Sequence, residues 1–206
     1  MPFLTDATWP IGLIRIFEVC RRDLPPGDNR YYGPYHKLLA YCFTPDSFEY
    51  FVAPYNPLSA SSSNTIDSSE FLVVYETRRR PILIVDIKDD SWADRADLRL
   101  KADTRMRQAY DSILADCPVH RLWGLSLLGT SLRVYCGDVD SGALQPGFAN
   151  RPSRSHTMPR DFLAGCWDID ILSQEGFDQV QAIVEGIFAM LQIGAFIDFA
   201  GMPPST

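Results

Sequence analysis

Apolar positions along this chain fall into short runs whose period switches between helical and strand-like, with polar, Gly- and Pro-rich punctuation between them. Trp9 to Val19 reads as a helical apolar stretch, closed by the loop-forming segment Asp23-Leu24-Pro25-Pro26-Gly27-Asp28-Asn29. The aromatic cluster Tyr31-Tyr32-Gly33-Pro34-Tyr35 reads as packing, and a short apolar helix is predicted over His36 to Phe43. Phe48 to Val52 has strand character, and the Ser/Asn-rich run Ser59 to Ser63 reads as a loop, because it has little apolar surface to bury.

The clearest local signal follows. Glu70 to Glu76 and Pro81 to Asp86 are β-rich runs separated by Thr77-Arg78-Arg79-Arg80, the spacing of a hairpin with a short basic turn. Asp90-Ser91 predicts the cap of a helix starting near Trp92, with Ala102, Met106, Ala109 or Tyr110, and Ile113 at inward-facing spacing until Pro118. Arg121 to Leu128 and Ser131 to Cys136 flank Gly129-Thr130 as a second hairpin, and Gly137 to Pro159 reads as loops. A last helix, about 173–196, carries Phe177, Val180, Val184, Ile187 and Leu191 on one stripe. This order predicts an α/β (α+β) fold in one domain, 1–206: a mixed central sheet with a β-hairpin core flanked by helices.

Composition narrows the classes. No apolar run approaches the roughly 20 residues that span a bilayer, and the start lacks a secretory layout, so the expectation is an intracellular protein, cytoplasmic or nuclear, with no membrane partner. The five cysteines form no CxxC pair, which argues against a zinc site or a disulfide framework. Net charge is -7, so any nucleic-acid site must be local rather than a bulk electrostatic effect. Only Lys37, Lys88 and Lys101 are lysines among 19 basic residues, which makes each lysine informative.

One lysine sits in a chemically loaded place. Asp86-Ile87-Lys88 ends a run that is otherwise apolar, and the two-residue period of a strand puts Asp86 and Lys88 on one face. Charges projecting from a core strand are costly unless paired or metal-bound. Across the hairpin, Glu70 falls opposite residues 86 to 88, a separation at which two carboxylates can share one hard cation. A one-residue slip would instead leave Asp67 or Glu76 as the second acid.

An acid opening one hairpin strand, D-x-K closing the next, then a helix with Arg105, Arg107 and Tyr110, resembles the core of PD-(D/E)XK (restriction-endonuclease-like) nucleases over about residues 36–128. The nuclease-like core would extend over about 36–138. The resemblance implies Glu70, Asp86 and Lys88 as catalytic residues, with Glu70, Asp86 and the Ile87 carbonyl holding Mg²⁺ or Mn²⁺. Tyr31 through Asp138 is also similar to a domain family of mushroom-type fungi, a likeness that implies no particular activity.

On this reading the chain is a metal-dependent nuclease or a nucleic-acid-binding domain derived from one, with Arg78, Arg79, Arg105 and Arg107 as candidate phosphate contacts. The bland reading makes the arginine turn solvated, Arg95 to Arg107 a charged outer face, and Asp86 with Lys88 a structural pair. The alternative function is a catalytically inactive interaction module with a protein partner. The sequence does not fix the oligomeric state. No G-x-S-x-G elbow, P-loop or dinucleotide fingerprint is present.

Overall fold

The computed structural model describes residues 2–23, 27, 29–43, 48–55, 71–151 and 158–200. Glu70, Asp67 and the run Ser59 to Ser63 lie outside the described residues. In chain order the elements are α1 (Ile11–Asp23), α2 (Asn29–Phe43), β1 (Tyr50–Tyr55), β2 (Phe71–Glu76), β3 (Pro81–Lys88), α3 (Ala96–Ile113), β4 (Arg121–Leu128), β5 (Ser131–Asp138), β6 (Leu144–Gln145), β7 (Ile169–Asp170) and α4 (Gln174–Ala200). The architecture is the expected mixed α+β class, with an open and mostly antiparallel central sheet flanked by helices. The sheet runs β1-β2-β3-β4-β5-β6, and β7 also pairs with β5.

One strand pair is parallel. β3 and β4 run in the same direction with α3 as the crossover, a connection that needs a helix's length of chain. This neighbour extends β3 through Ile87 and Lys88, which pair with Leu127 and Leu128, so the strand ends two residues beyond the predicted run Pro81 to Asp86. The apolar pattern stops at Val85 because it registers hydrophobicity, whereas the ladder extends wherever a partner strand is available.

Both faces of β3 are buried, and from Leu83 to Ile87 the two faces alternate between two cores. Leu83, Val85 and Ile87, with Leu125 and Leu127 of β4, join the large core under α1, α2 and α4. Ile84, Leu122 and Tyr135 pack under α3 against Met106, Ala109 and Tyr110. Each fully buried side chain of this size contributes about 1.5–3 kcal/mol, so a one-residue slip that inverted the set would be prohibitive. Burial of the odd-numbered positions therefore forces Asp86 and Lys88 to the α3 side.

Several boundaries differ from the sequence reading. α2 begins at Asn29 rather than His36 and runs through Pro34. Burial of Tyr31 and Tyr35 one turn apart, with Tyr35 edge-on to Phe17, outweighs the hydrogen bond that Pro34 cannot donate. The first strand is Tyr50–Tyr55 rather than Phe48 to Val52, and Phe48 is fully exposed. Asp90–Trp92 forms a single 3-10 turn capped by Asp89, and α3 starts only at Ala96. The last helix continues to Ala200, and the segment read as loops contains the two-residue strand β6. Among the described residues no helix is long and apolar enough to cross a membrane, and the five cysteines are unpaired.

Candidate functional site

The charged residues of β3 open a polar row across the sheet. Asp86 registers with Ser126 of β4, and Ser126 with Arg133 of β5, all on the α3 side. Asp86 and Lys88 are 0% and 1% exposed, Ser126 is 1% and Arg133 is 8%. Arg105 reaches down from α3 to place its Nη2 3.4 Å from Asp86 Oδ1, while its guanidinium lies 5.1 Å from the centre of the Phe71 ring. The Lys88 ammonium stands 4.9 Å from the Trp92 ring centre, and Lys101 lies over the same ring at 5.6 Å. A ring quadrupole attracts such cations and fixes their direction.

The other sequence candidates are placed as follows. Glu70 lies outside the described residues, as does Asp67. Glu76 closes the far end of the hairpin, accepting from Arg80 Nε at 2.8 Å and from the Arg78 backbone N–H at 3.1 Å. Arg78 and Arg79 are exposed in that turn, with Arg79 at a φ of 61°. Arg79 is seven residues from Asp86 along an extended strand, about 23 Å at about 3.3 Å per residue. The structure thus brings together Asp86, Lys88 and Arg105 and holds Arg78 and Arg79 at the opposite end of β3.

Arg107 belongs to a second cluster that the sequence reading did not identify. Asp103, fully buried one turn before it on α3, accepts from Arg107 Nε at 2.9 Å, from Arg107 Nη2 at 3.1 Å and from the Tyr135 hydroxyl at 2.8 Å. Arg133 Nη1 lies 3.4 Å from the same carboxylate. Burial, and then its bond to Asp103, hold the Tyr135 hydroxyl protonated far above the ordinary tyrosine range. The four-residue spacing of Asp103 and Arg107 and the lone charge inside SLRVYC were the available signals.

A strap covers this row. Arg99, 5% exposed, donates to the carbonyls of Phe162 at 3.0 Å and Arg160 at 2.6 Å and also reaches Ala93. Leu163 is buried at a φ of 58°, a left-handed conformation that a residue with a Cβ adopts only under external constraint. At the end of the strap, Trp167 Nε1 donates to Ser126 Oγ at 3.2 Å, and its ring lies 5.0 Å from the Arg133 guanidinium. Arg99, expected on an outer or phosphate-binding face, is a buried latch instead.

The corner between β3 and α3 is held separately. Asp89 Oδ1 accepts from the Ser91 N–H at 3.1 Å, Oδ2 accepts from the Gly27 N–H at 2.9 Å, and Arg30 Nη2 lies 2.9 Å from Oδ2. Burial pushes the Asp89 carboxyl up, but those N–H donors and the Arg30 charge outweigh it and hold the group below the usual aspartate value. The stabilisation is therefore complete above the unfolded value near pH 3.9 and is lost as the pH falls through the lower folded value. Urea melts of Asp89→Asn and of the parent chain are expected to differ at neutral pH and to converge as the pH falls through that lower folded value.

On the α3 side of the sheet Arg105 pairs with Asp86, and Arg107 and Arg133 share Asp103, with Lys88 and Arg99 buried on the same side. Around Asp103 two guanidiniums share one carboxylate, a local excess of positive charge in a chain of net charge -7, suited to an anion. Among the described residues no three His, Cys, Asp or Glu side chains come together as a metal-binding group. Asp86 supplies a hard oxygen donor of the type that suits Mg²⁺ or Mn²⁺. Comparison with family models, with curated proteins and with solved structures finds no match to this chain.

Proposed function

We propose that the domain is a metal-dependent nuclease, or a nucleic-acid-binding domain derived from one, of the PD-(D/E)XK kind. The carrying observation is the pair Asp86 and Lys88, buried side by side at the carboxyl end of β3, where it runs parallel to β4. In open sheets with parallel strands, ligands bind beyond the carboxyl ends of those strands. The order α2-β1-β2-β3-α3-β4 agrees with the helix, hairpin, D-x-K strand and helix of that superfamily. The locally positive α3 side fits a phosphodiester substrate, and an intracellular setting, cytoplasmic or nuclear, fits the free cysteines.

The Asp86 carboxylate and the Ile87 carbonyl would hold Mg²⁺ or Mn²⁺, with Glu70 as the further acid. The chemistry such an ion supplies is polarisation of a phosphoryl oxygen and acidification of water. Lys88, aimed by the Trp92 ring, offsets negative charge that develops on the phosphoryl group. Arg105 neutralises Asp86 in its buried setting and can move to the phosphate when a cation takes its place.

Mn²⁺ titration followed by electron paramagnetic resonance tests this reading. The parent chain is expected to bind Mn²⁺, Asp86→Ala to lose the site, and Arg105→Gln to bind more tightly because a competing cation is gone. Lys88→Gln is expected to bind Mn²⁺ but lose metal-dependent cleavage of labelled DNA or RNA. The Arg105–Asp86 contact also favours a second reading, a non-catalytic protein-interaction module in which the guanidinium replaces the metal. Failure of both the parent and Arg105→Gln to bind millimolar Mn²⁺ would select that reading.

A further inference from the structure

Arg133 stands out among the buried polar side chains. It is 8% exposed, its Nη1 is buried without a hydrogen bond, and its polar contact among the described residues is the 3.4 Å ion pair with Asp103. That carboxylate is shared with Arg107 and Tyr135 at shorter distances, so two guanidiniums and a phenol rest on one negative charge. Arg107 has further acceptors in the carbonyls of Pro146 and Gly147 at 2.8 and 3.1 Å, so Arg133 carries the excess positive charge. A guanidinium has five donors in a rigid fork, and burying it with so few acceptors is unfavourable unless a ligand supplies them.

Two aromatic rings and a hydroxyl surround it. The Tyr135 and Trp167 ring centres lie 5.1 and 5.0 Å from the guanidinium and hold its plane, and the neighbouring Ser126 hydroxyl accepts from the Trp167 indole. Ser126 lies between Arg133 and Asp86 in the register, so Arg133 is two strand spacings, about 10 Å, from the proposed hydrolytic pair. We propose that Arg133 and Ser126 form an oxyanion subsite that takes a phosphate of the substrate backbone beside the one at Asp86 and Lys88. The excess positive charge selects an anion, and the planar fork suits the paired oxygens of a phosphate. Entry of the phosphate beside Trp167 disturbs the indole N–H that Ser126 Oγ accepts, while the hydroxyl's own proton is available to donate to the phosphate. The subsite deepens the nuclease reading and extends its substrate contacts across the sheet.

The chain has four tryptophans, so the indole N–H resonances form a small, assignable set, with Trp167→Phe identifying the one at the subsite. Titration with inorganic phosphate, against sodium chloride at matched ionic strength, is expected to move the Trp167 resonance saturably. The Trp9 resonance, whose N–H donates to the Ile171 carbonyl at 2.7 Å, should stay in place. Arg133→Gln is expected to weaken phosphate about tenfold or more, and Arg133→Lys, which keeps the charge but lacks the fork, to fall between. A Trp167 resonance indifferent to phosphate, or equally sensitive to chloride, overturns the subsite, and this titration needs only the parent chain. Equal phosphate affinity in Arg133→Gln also overturns it, and if that variant does not fold, Arg133→Lys decides.

A labelled single-stranded DNA oligonucleotide supplies the second arm. If it competes with phosphate, the ligand is the nucleic-acid backbone. Saturable phosphate binding that the oligonucleotide cannot displace removes the assignment to backbone phosphate. Should Mn²⁺ bind at Asp86 while phosphate leaves Trp167 unmoved, the subsite fails and the hydrolytic reading stands. Should phosphate bind and Mn²⁺ not, the reverse holds.

Discussion

Asp103→Ala is expected to destabilise the fold by about 3–5 kcal/mol, the cost of removing one partner from a buried charge network. Asp103 is fully buried and receives two bonds from Arg107, one from Tyr135 and the charge of Arg133. Arg107 keeps its carbonyl acceptors and 16% side-chain exposure, so the penalty falls on Arg133, left with no carboxylate, and on the Tyr135 hydroxyl. At roughly 2–4 °C per kcal/mol for a chain of this size, the midpoint should drop by about 6–20 °C, measurable by calorimetry. Arg107→Ala should cost less, because it relieves the crowding of cations on one carboxylate. A loss below about 1 kcal/mol for Asp103→Ala would mean that the network is wetter than its burial indicates.

Gly129→Ala is the second large effect. Gly129 turns the chain between β4 and β5 at a φ of 64°, where an alanine is worse by about 1–2 kcal/mol. A Cβ there would lie 1.7 Å from Asp90 Oδ1 and 3.2 Å from the Asp90 Cα. Asp90 is held by Arg30, by the Tyr31 hydroxyl and by Arg21 at 3.4 Å, so it cannot yield without uncoupling α1 and α2 from the corner beside Lys88. Displacing those bonds adds about 1–3 kcal/mol, for a total near 3 kcal/mol. Because Gly129 also donates to the Lys88 carbonyl at 2.8 Å and accepts from Tyr35 at 2.7 Å, the variant should show weakened amide protection at the end of β3. A melting curve unchanged from the parent would contradict the close approach to Asp90.

Much of this arrangement was legible in the chain itself. The runs Pro81 to Asp86 and Arg121 to Leu128 are β-rich enough to read as strands, and the strand period placed Asp86 and Lys88 on one face. What stayed hidden depends on partners distant in sequence. The parallel pairing of β3 with β4 put Ser126 beside Asp86, which does not follow from local pattern, whereas Arg133 faces Ser126 through the two-residue turn of the second hairpin. Ser126 and Arg133 lie inside runs read as strands, with no signal of a site at either. The start of α3 was misplaced by about four residues, from near Trp92 to Ala96, since Asp89, Asp90 and Ser91 can each begin a turn and Asp89 caps the 3-10 turn instead. Arg78 and Arg79 shared a hairpin with the site but not an end of it.

The relation between Arg105 and a hard cation decides what the polar row is for. Both are positive, and both would neutralise the Asp86 carboxylate. A crystal grown with Mn²⁺ and measured for anomalous scattering tests this directly. The nuclease reading predicts a peak at oxygen-coordination distance from Asp86 and the Ile87 carbonyl, with the Arg105 guanidinium withdrawn. No peak, with Arg105 still seated on Asp86, would contradict it.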